Sequence, residues 1–192
     1  MAKEELPVVW FESQQAMEEW LEDHHHSSPG IRIHIAKKNS GKVTPSYAEA
    51  LESALCYGWI DSQKEKYDDE TWLQRFTPRG PKSMWSKVNK DKAEELMEVG
   101  KMKPAGLQAI ERAKESGLWE KAYAPQSDKS LPEDFEKELD QRPNAKAFFE
   151  TLNSRNRYAI LYRLQTAKKP ETRIKRMNQF LEMLEKGEKI YP

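Results

Sequence analysis

A single cysteine, Cys56, stands among 192 residues, so no disulfide can form within the chain and a reducing cytoplasm is the expected location. Long apolar runs are missing as well. The longest, Ala54 to Ile60, falls far short of the roughly 20 residues that span a bilayer as a helix, which argues against integral membrane contact. The opening Met1-Ala2-Lys3-Glu4-Glu5-Leu6-Pro7 has neither the basic start nor the apolar stretch of a secretory leader. Charge of one sign is absent, because 32 Lys plus Arg balance 32 Asp plus Glu. Neither the global basic excess of a nucleic-acid binder nor an acidic tail is visible. No internal repeat of constant period occurs, which excludes a solenoid.

Bulky anchors are present. Hydrophobic residues form 37% of the chain and include six Trp, seven Tyr and six Phe, enough to build a packed core rather than a disordered chain. Val8 to Phe11 is β-prone, and Ser13 suits the cap of a helix carrying Ala16, Met17, Trp20 and Leu21 at helical spacing. Ile31, Ile33 and Ile35 alternate with polar neighbours, the period of a strand with one buried face. Thr44-Pro45-Ser46 opens a second helix that ends at Gly58. Trp59 onward and Thr71 to Thr77 then read as an antiparallel hairpin turning at Asp68-Asp69-Glu70.

After Pro78 the pattern becomes helical, with Ser83 as the expected N-cap of a helix containing Trp85, Val88 and Leu96, and Pro104 in the first turn of the next. Ala124 to Pro132 is the best linker candidate. Beyond it, Phe135 to Leu152, Tyr158 to Leu164 and Ile174 to Leu184 carry helical apolar stripes. The fold class expected is α+β: a small unit with a short antiparallel or mixed sheet over residues 1–80, a helical extension packed on it over 81–124, and a helical subdomain over 132–192.

The chemistry is sparse. Neighbouring helical side chains point about 100° apart, so His24-His25-His26 cannot close on one ion, and no metal site is expected. Cys56 ends an apolar helix, where burial raises a thiol pKa and leaves it inert. Lys37-Lys38-Asn39-Ser40-Gly41-Lys42 lacks the leading glycine of a phosphate loop. No catalytic motif and no cofactor motif is recognisable.

Between Arg155 and Arg176 eight basic residues face one acid, a local charge of +7 that could follow a phosphate backbone. Neutralisation of acidic segments is the competing reading. Tyr158 and Tyr162 suit a helical face better than a stacking platform, so nucleic acid is disfavoured as a partner.

The densest polar chemistry lies from Asp61 to Asn89. Arg75 and Arg79 beside a helix amino terminus at Ser83 and Ser86 would make an anion site, since dipole, amides and guanidinium forks favour one sign of charge. The same groups serve equally well as an Asp–Arg pair and a cap that hold two halves together. A register slip of one residue would move Arg75 to the other face of its sheet.

Several stretches together resemble the YdeI/OmpD-associated family, also labelled bacteriocin-protection proteins. They are Lys37 to Gly41, Tyr47 to Leu51, Ala54 to Ser62, Gln74 to Arg79, Ser83 to Asn89, Gly100 to Gly106 and Ala167 to Arg173. The resemblance implies tolerance of peptide antibiotics or an envelope link, and it supplies no established catalytic reaction to carry over. Its polar motif positions correspond to Lys37, Lys38, Ser40, Asp61, Arg75, Arg79, Ser83, Trp85, Ser86 and Asn89, which favours a ligand cleft at the hairpin–helix junction. The expected function is a cytoplasmic binding or stress-protection protein for a small anionic ligand, with any protein partner unidentified. Two alternatives stand: an enzyme acting on a small anionic substrate with Asp61 as general base, and a nucleic-acid binder using the basic helices after Arg155.

Overall fold

The computed structural model describes residues 5–125, 128 and 130–192, so part of the expected linker at Ala124 to Pro132 lies outside the described residues. These fall into two units, residues 5–83 with 89–120 and residues 84–88 with 121–192. Among the described residues no helix is long and apolar enough to cross a membrane.

In the first unit, β1 (Val8–Val9) leads to α1 (Gln14–His24), whose N-cap Ser13 accepts a hydrogen bond from the Ala16 amide. That bond satisfies one of the amides left orphaned at a helix start. The α1 residues Met17 and Leu21 are fully buried. His24 and His25 bond through Nδ1 to the Trp20 and Leu21 carbonyls, the helix-end role their position implies. Then come β2 (Ile31–Ala36), with all three isoleucines buried, and α2 (Tyr47–Cys56). A reciprocal capping box joins Ser46 and Glu49 at the start of α2.

The hairpin of β3 (Trp59–Lys66) and β4 (Thr71–Pro78) completes a four-stranded mixed sheet in the order β1-β2-β4-β3, with β1 parallel to β2 and the other pairs antiparallel. In an antiparallel pair, residues directly opposite project to the same face. Ile31 pairs with Phe76, and Phe76 with Asp61, so Asp61 shares the isoleucine face. Arg32 pairs with Arg75, one step along both strands, which puts Arg75 on the opposite face. The register shift between Asp61 and Lys64 sets Ser62 and Gln63 against Arg75 alone, a bulge that lets Arg75 donate to Gln63 Oε1 at 3.4 Å.

The helical part of the chain begins at α3 (Lys87–Glu98), not at Ser83. The backbone explains the correction. The Ser83 amide closes a turn on the Gly80 carbonyl, and Ser86 pairs in an isolated parallel bridge with Tyr123, so this stretch runs extended. Trp85 thus precedes the helix rather than riding on it, and is buried, while Val88 is exposed. The next helix, α4 (Pro104–Glu115), carries Pro104 in its first turn as its sequence predicts.

In the second unit, α5 (Glu133–Asp140), α6 (Pro143–Thr151), α7 (Ser154–Gln165) and α8 (Pro170–Glu185) close around Phe135, Leu139, Phe149, Ile160, Leu164, Leu181 and Leu184. Ile174, expected on the apolar stripe of α8, is exposed instead. Lys87 and Tyr123 belong to the same unit, and the Lys87 amide donates to the Tyr123 carbonyl at 2.8 Å.

Candidate functional site

Of the residues expected to form one site, the structure joins Asp61 to Asn89 and sets Lys37, Lys38, Ser40 and Arg75 apart from Asp61. Lys37, Lys38 and Ser40 follow β2, beside the hairpin turn, where the Lys37 amide bonds the Glu70 carbonyl and the Lys37 ammonium reaches the Asp68 carbonyl. Lys38 is exposed, and Ser40 Oγ accepts from the Lys42 amide. Asp61 lies toward the other end of the sheet. Ala36 pairs with Thr71 and Asp61 with Phe76, a displacement of about 17 Å along β4 at the rise of an extended strand.

Asp61, Arg79, Ser83 and Asn89 belong to the first unit, whereas Trp85 and Ser86 belong to the second. The Asp61 carboxylate accepts from Tyr47 Oη at 2.8 Å and from Asn89 Nδ2 at 3.4 Å, one donor on each oxygen. Its hydrogen-bonded partners are therefore a phenol and an amide, not the arginine it was expected to orient. Arg79 is buried, and its amide donates to the Gly58 carbonyl at 3.0 Å. Arg75, on the far face of the sheet, is half-buried, and its Nε is buried with no hydrogen-bond partner among the described residues.

A different part of the first unit forms a cleft of about 790 Å³. Its walls come from α1, α2 and the connection between α3 and α4. Glu18 projects from α1, Glu49 and Glu52 from α2, and Lys101 and Lys103 from the connection, over Tyr57, Leu96 and Met102. Each carboxylate commits one oxygen to intramolecular bonds. Glu18 Oε1 accepts from Ser53 Oγ at 3.0 Å and Gln14 Nε2 at 3.2 Å, Glu49 Oε2 from the Ser46 amide at 2.7 Å, and Glu52 Oε1 from Lys92 at 3.3 Å. The lining thus combines three carboxylates, two lysines and the apolar groups of Leu96 and Met102.

Sequence reasoning missed this cleft, although part of its signal was local. Gln14 and Glu18 are four apart on α1, and Glu49, Glu52 and Cys56 fall at i, i+3 and i+7 on α2, so each set shares one helical face. What brings the two faces together is the long-range packing of α1 on α2.

The thiol of Cys56 lines the cleft, and burial, with added repulsion from Glu18 and Glu52, pushes its pKa up to about 11. Burial also raises the Tyr57 phenol, helped by its 2.7 Å hydrogen bond to Glu22. The cleft floor is therefore neutral at physiological pH and its charge comes from the walls. His34, on the polar phase of β2, is nonetheless buried, with Nδ1 3.1 Å from Thr71 Oγ1 and its ring between Trp10 and Tyr67. Loss of hydration lowers its pKa, opposed by Asp68.

No curated protein and no solved structure matches the chain. Two family models do. Residues 130–187, which include α5 to α8, match the family described as bacteriocin-protection, YdeI or OmpD-associated, the family that the sequence motifs suggested. The motifs from Lys37 to Gly106 fall instead in residues 9–109, matched by a second model described as a domain of unknown function (DUF8412). Strands β2 to β4, the cleft walls from α1 and α2 and the Asp61–Asn89 bond all lie in that second stretch, which spans just over half of the chain, so the chain belongs to the DUF8412 family, and residues 130–187 are similar to the bacteriocin-protection, YdeI or OmpD-associated family.

Proposed function

We propose that this chain is a binding protein of the bacteriocin-protection type, and that the cleft between α1 and α2 takes a ligand bearing an ammonium group next to an apolar segment, as a short basic peptide does. The observation that carries this reading is that Glu18, Glu49 and Glu52 line one cleft together with Tyr57, Leu96 and Met102. Carboxylates held in place by their own hydrogen bonds lose little freedom when a cation docks, and the apolar floor rewards a hydrophobic neighbour of that cation. Lys101 and Lys103 on the opposite wall suit the carboxylate end of the same ligand.

The anionic-ligand reading of the β4 end has weaker support. Arg75 is separated from Asp61 by the sheet, and Lys37, Lys38 and Ser40 by most of the length of β4. An enzymatic reading through Asp61 is weaker still, because both of its oxygens already accept hydrogen bonds.

A thermal-shift titration with a Lys-Leu-Lys tripeptide tests the proposal, with citrate as the anionic contrast. A ligand at 100 times its dissociation constant adds about 2.7 kcal/mol to the stability of the state that binds it. The tripeptide should raise the melting temperature and Glu52→Gln should abolish most of that shift. A shift with citrate that disappears in Arg79→Ala, with none from the tripeptide, would return the site to the β4 end.

A further inference from the structure

The second unit carries a separate basin of about 320 Å³ lined by Arg155, Tyr158, Ala159, Tyr162, Arg163 and Tyr191. All but Tyr191 project from α7. Arg155, Tyr158, Tyr162 and Arg163 fall on one face because their offsets of three, seven and eight residues approximate whole helical turns. Tyr191 is brought in from beyond α8. Both guanidiniums converge on its ring, Arg155 at 4.2 Å and Arg163 at 5.9 Å from the centroid, and Arg163 also donates to Tyr191 Oη at 3.3 Å.

This arrangement is held from beneath. Asn156 is fully buried, accepts from the Tyr191 amide at 2.9 Å and donates to the Tyr191 carbonyl at 3.2 Å, a two-point clamp on the main chain that carries the ring. A buried side chain that fixes a remote residue in this way pre-forms the basin before any ligand arrives.

Among the described residues no acidic side chain lines the basin. Among the described residues neither Arg155 nor Arg163 forms an ion pair, whereas Arg173 of the same basic tract is spent on Asp134 through two 2.7 Å bonds. Arg157 is turned onto the Leu152 and Glu150 carbonyls, and Arg176 onto the Arg163 carbonyl. Arg163 is itself anchored to the Ala159 carbonyl at 3.0 Å, so among the described residues Arg155, exposed and set against the Tyr191 ring, is the least committed guanidinium lining the basin.

We infer that this basin binds the phosphate and base of a nucleotide unit, with Arg155 and Arg163 on the phosphate and the tyrosine rings against the base. Guanidinium forks recognise phosphate oxygens, and tyrosine faces stack on any base. The phenol of Tyr191, whose pKa the Arg163 hydrogen bond lowers, is a further polar group at the phosphate end. This site lies in a different unit from the cleft proposed above and stands or falls independently of it.

The test uses the full chain and a fluorescein-labelled oligodeoxythymidylate of about twelve nucleotides, long enough for a single-strand site. Fluorescence anisotropy at about 50 mM salt should give saturable binding, with a log K against log salt slope near −0.7 for the one phosphate that the two arginines share. Arg155→Glu, an exposed position with no intramolecular hydrogen bond to lose, should weaken binding about tenfold or more with an unchanged circular dichroism spectrum, about 1.4 kcal/mol by conversion. Arg163→Gln should act in the same direction. Lys175→Glu, exposed on α8 outside the basin, is the control for diffuse charge. Competition with AMP separates the sources: displacement of the oligonucleotide means that a free nucleotide fills the basin, and retention means that a strand is required. Absence of binding to both probes, or an equal loss in Arg155→Glu and Lys175→Glu, would overturn the inference.

Discussion

Cys56 shows how a single residue's chemistry is set by its surroundings. With its thiol pKa pushed up to about 11, only about one molecule in a thousand carries a thiolate at pH 8, and the thiolate is the species that alkylates. Iodoacetamide should therefore label the folded chain far more slowly than the urea-unfolded chain at pH 8, with the folded rate rising steeply toward pH 11. Equal rates would mean that the cleft is open to solvent down to α2. The Asp134–Arg173 pair makes the opposite case, a carboxyl held below its usual range chiefly by the hydrogen bonds from Arg173. Its folded pKa is depressed, so its stabilisation is complete above the unfolded value of about 3.9 and disappears as pH falls through the folded value. The pair is partly exposed, so Arg173→Gln should cost no more than about 1 kcal/mol at pH 7. The difference between variant and parent in urea midpoint should shrink at the acid end of that window to what the Arg173 bond to the Leu164 carbonyl contributes.

Among the elements, α2 and α4 approach each other closely at two glycines. The Cys56 carbonyl accepts from the Lys103 amide at 3.1 Å, and a Cβ added at Gly106 would run into that same Cys56 oxygen. Gly58, at φ +72°, ends α2 in a left-handed conformation, where a Cβ would lie 2.7 Å from the Ala105 carbonyl oxygen. Gly106→Ala in an ordinary helix gains up to about 1 kcal/mol from propensity. Here the sign should reverse, because the obstacle is backbone that cannot rotate away. A destabilised urea transition, with the Cys56 thiol more reactive as α2 and α4 part, is the expected result. The sheet teaches a related lesson, since its alternation was readable strand by strand while the bulge at Ser62 and Gln63 was not. An insertion of one residue changes register without changing the local pattern on either side of it.

For the whole molecule, the absence of net charge conceals an uneven distribution. Three carboxylates and two lysines line the cleft of the first unit, and two arginines that form no ion pair among the described residues line the basin of the second. Each unit also has its own core. Phe135 is fully buried against Phe149, with ring centroids 5.7 Å apart at 78°, in the cluster that joins α5 to α8. Phe135→Ala should cost about 3–5 kcal/mol, the sum of lost transfer energy and a cavity. Hydrogen exchange would report it as faster exchange of amides in α5, α6, α7 and α8. Unchanged protection there would mean that the cluster around Phe135 contributes little to the unit it occupies.

The sequence by itself determined what depends on neighbours a few positions away: the Ser13 cap, the capping box at Ser46, the alternation of Ile31, Ile33 and Ile35, the hairpin turn at Asp68 to Glu70, the Pro104 helix start, and the apolar stripes of α5 to α7. Each is fixed by a period, a cap or a turn residue, and such signals survive without knowledge of the rest of the chain. The helix start at Lys87 departed from its sequence signal because Ser86 found a strand-like partner in Tyr123, far along the chain. Only the tertiary structure decided which functional groups meet. Strand register separated Arg75 from Asp61, packing of α1 on α2 created the carboxylate cleft, and the buried Asn156 drew Tyr191 onto the arginines of α7. Those outcomes rest on contacts between residues from 12 to more than 35 positions apart, where a one-residue change of register turns a side chain to the other face, and local periodicity holds no record of that choice.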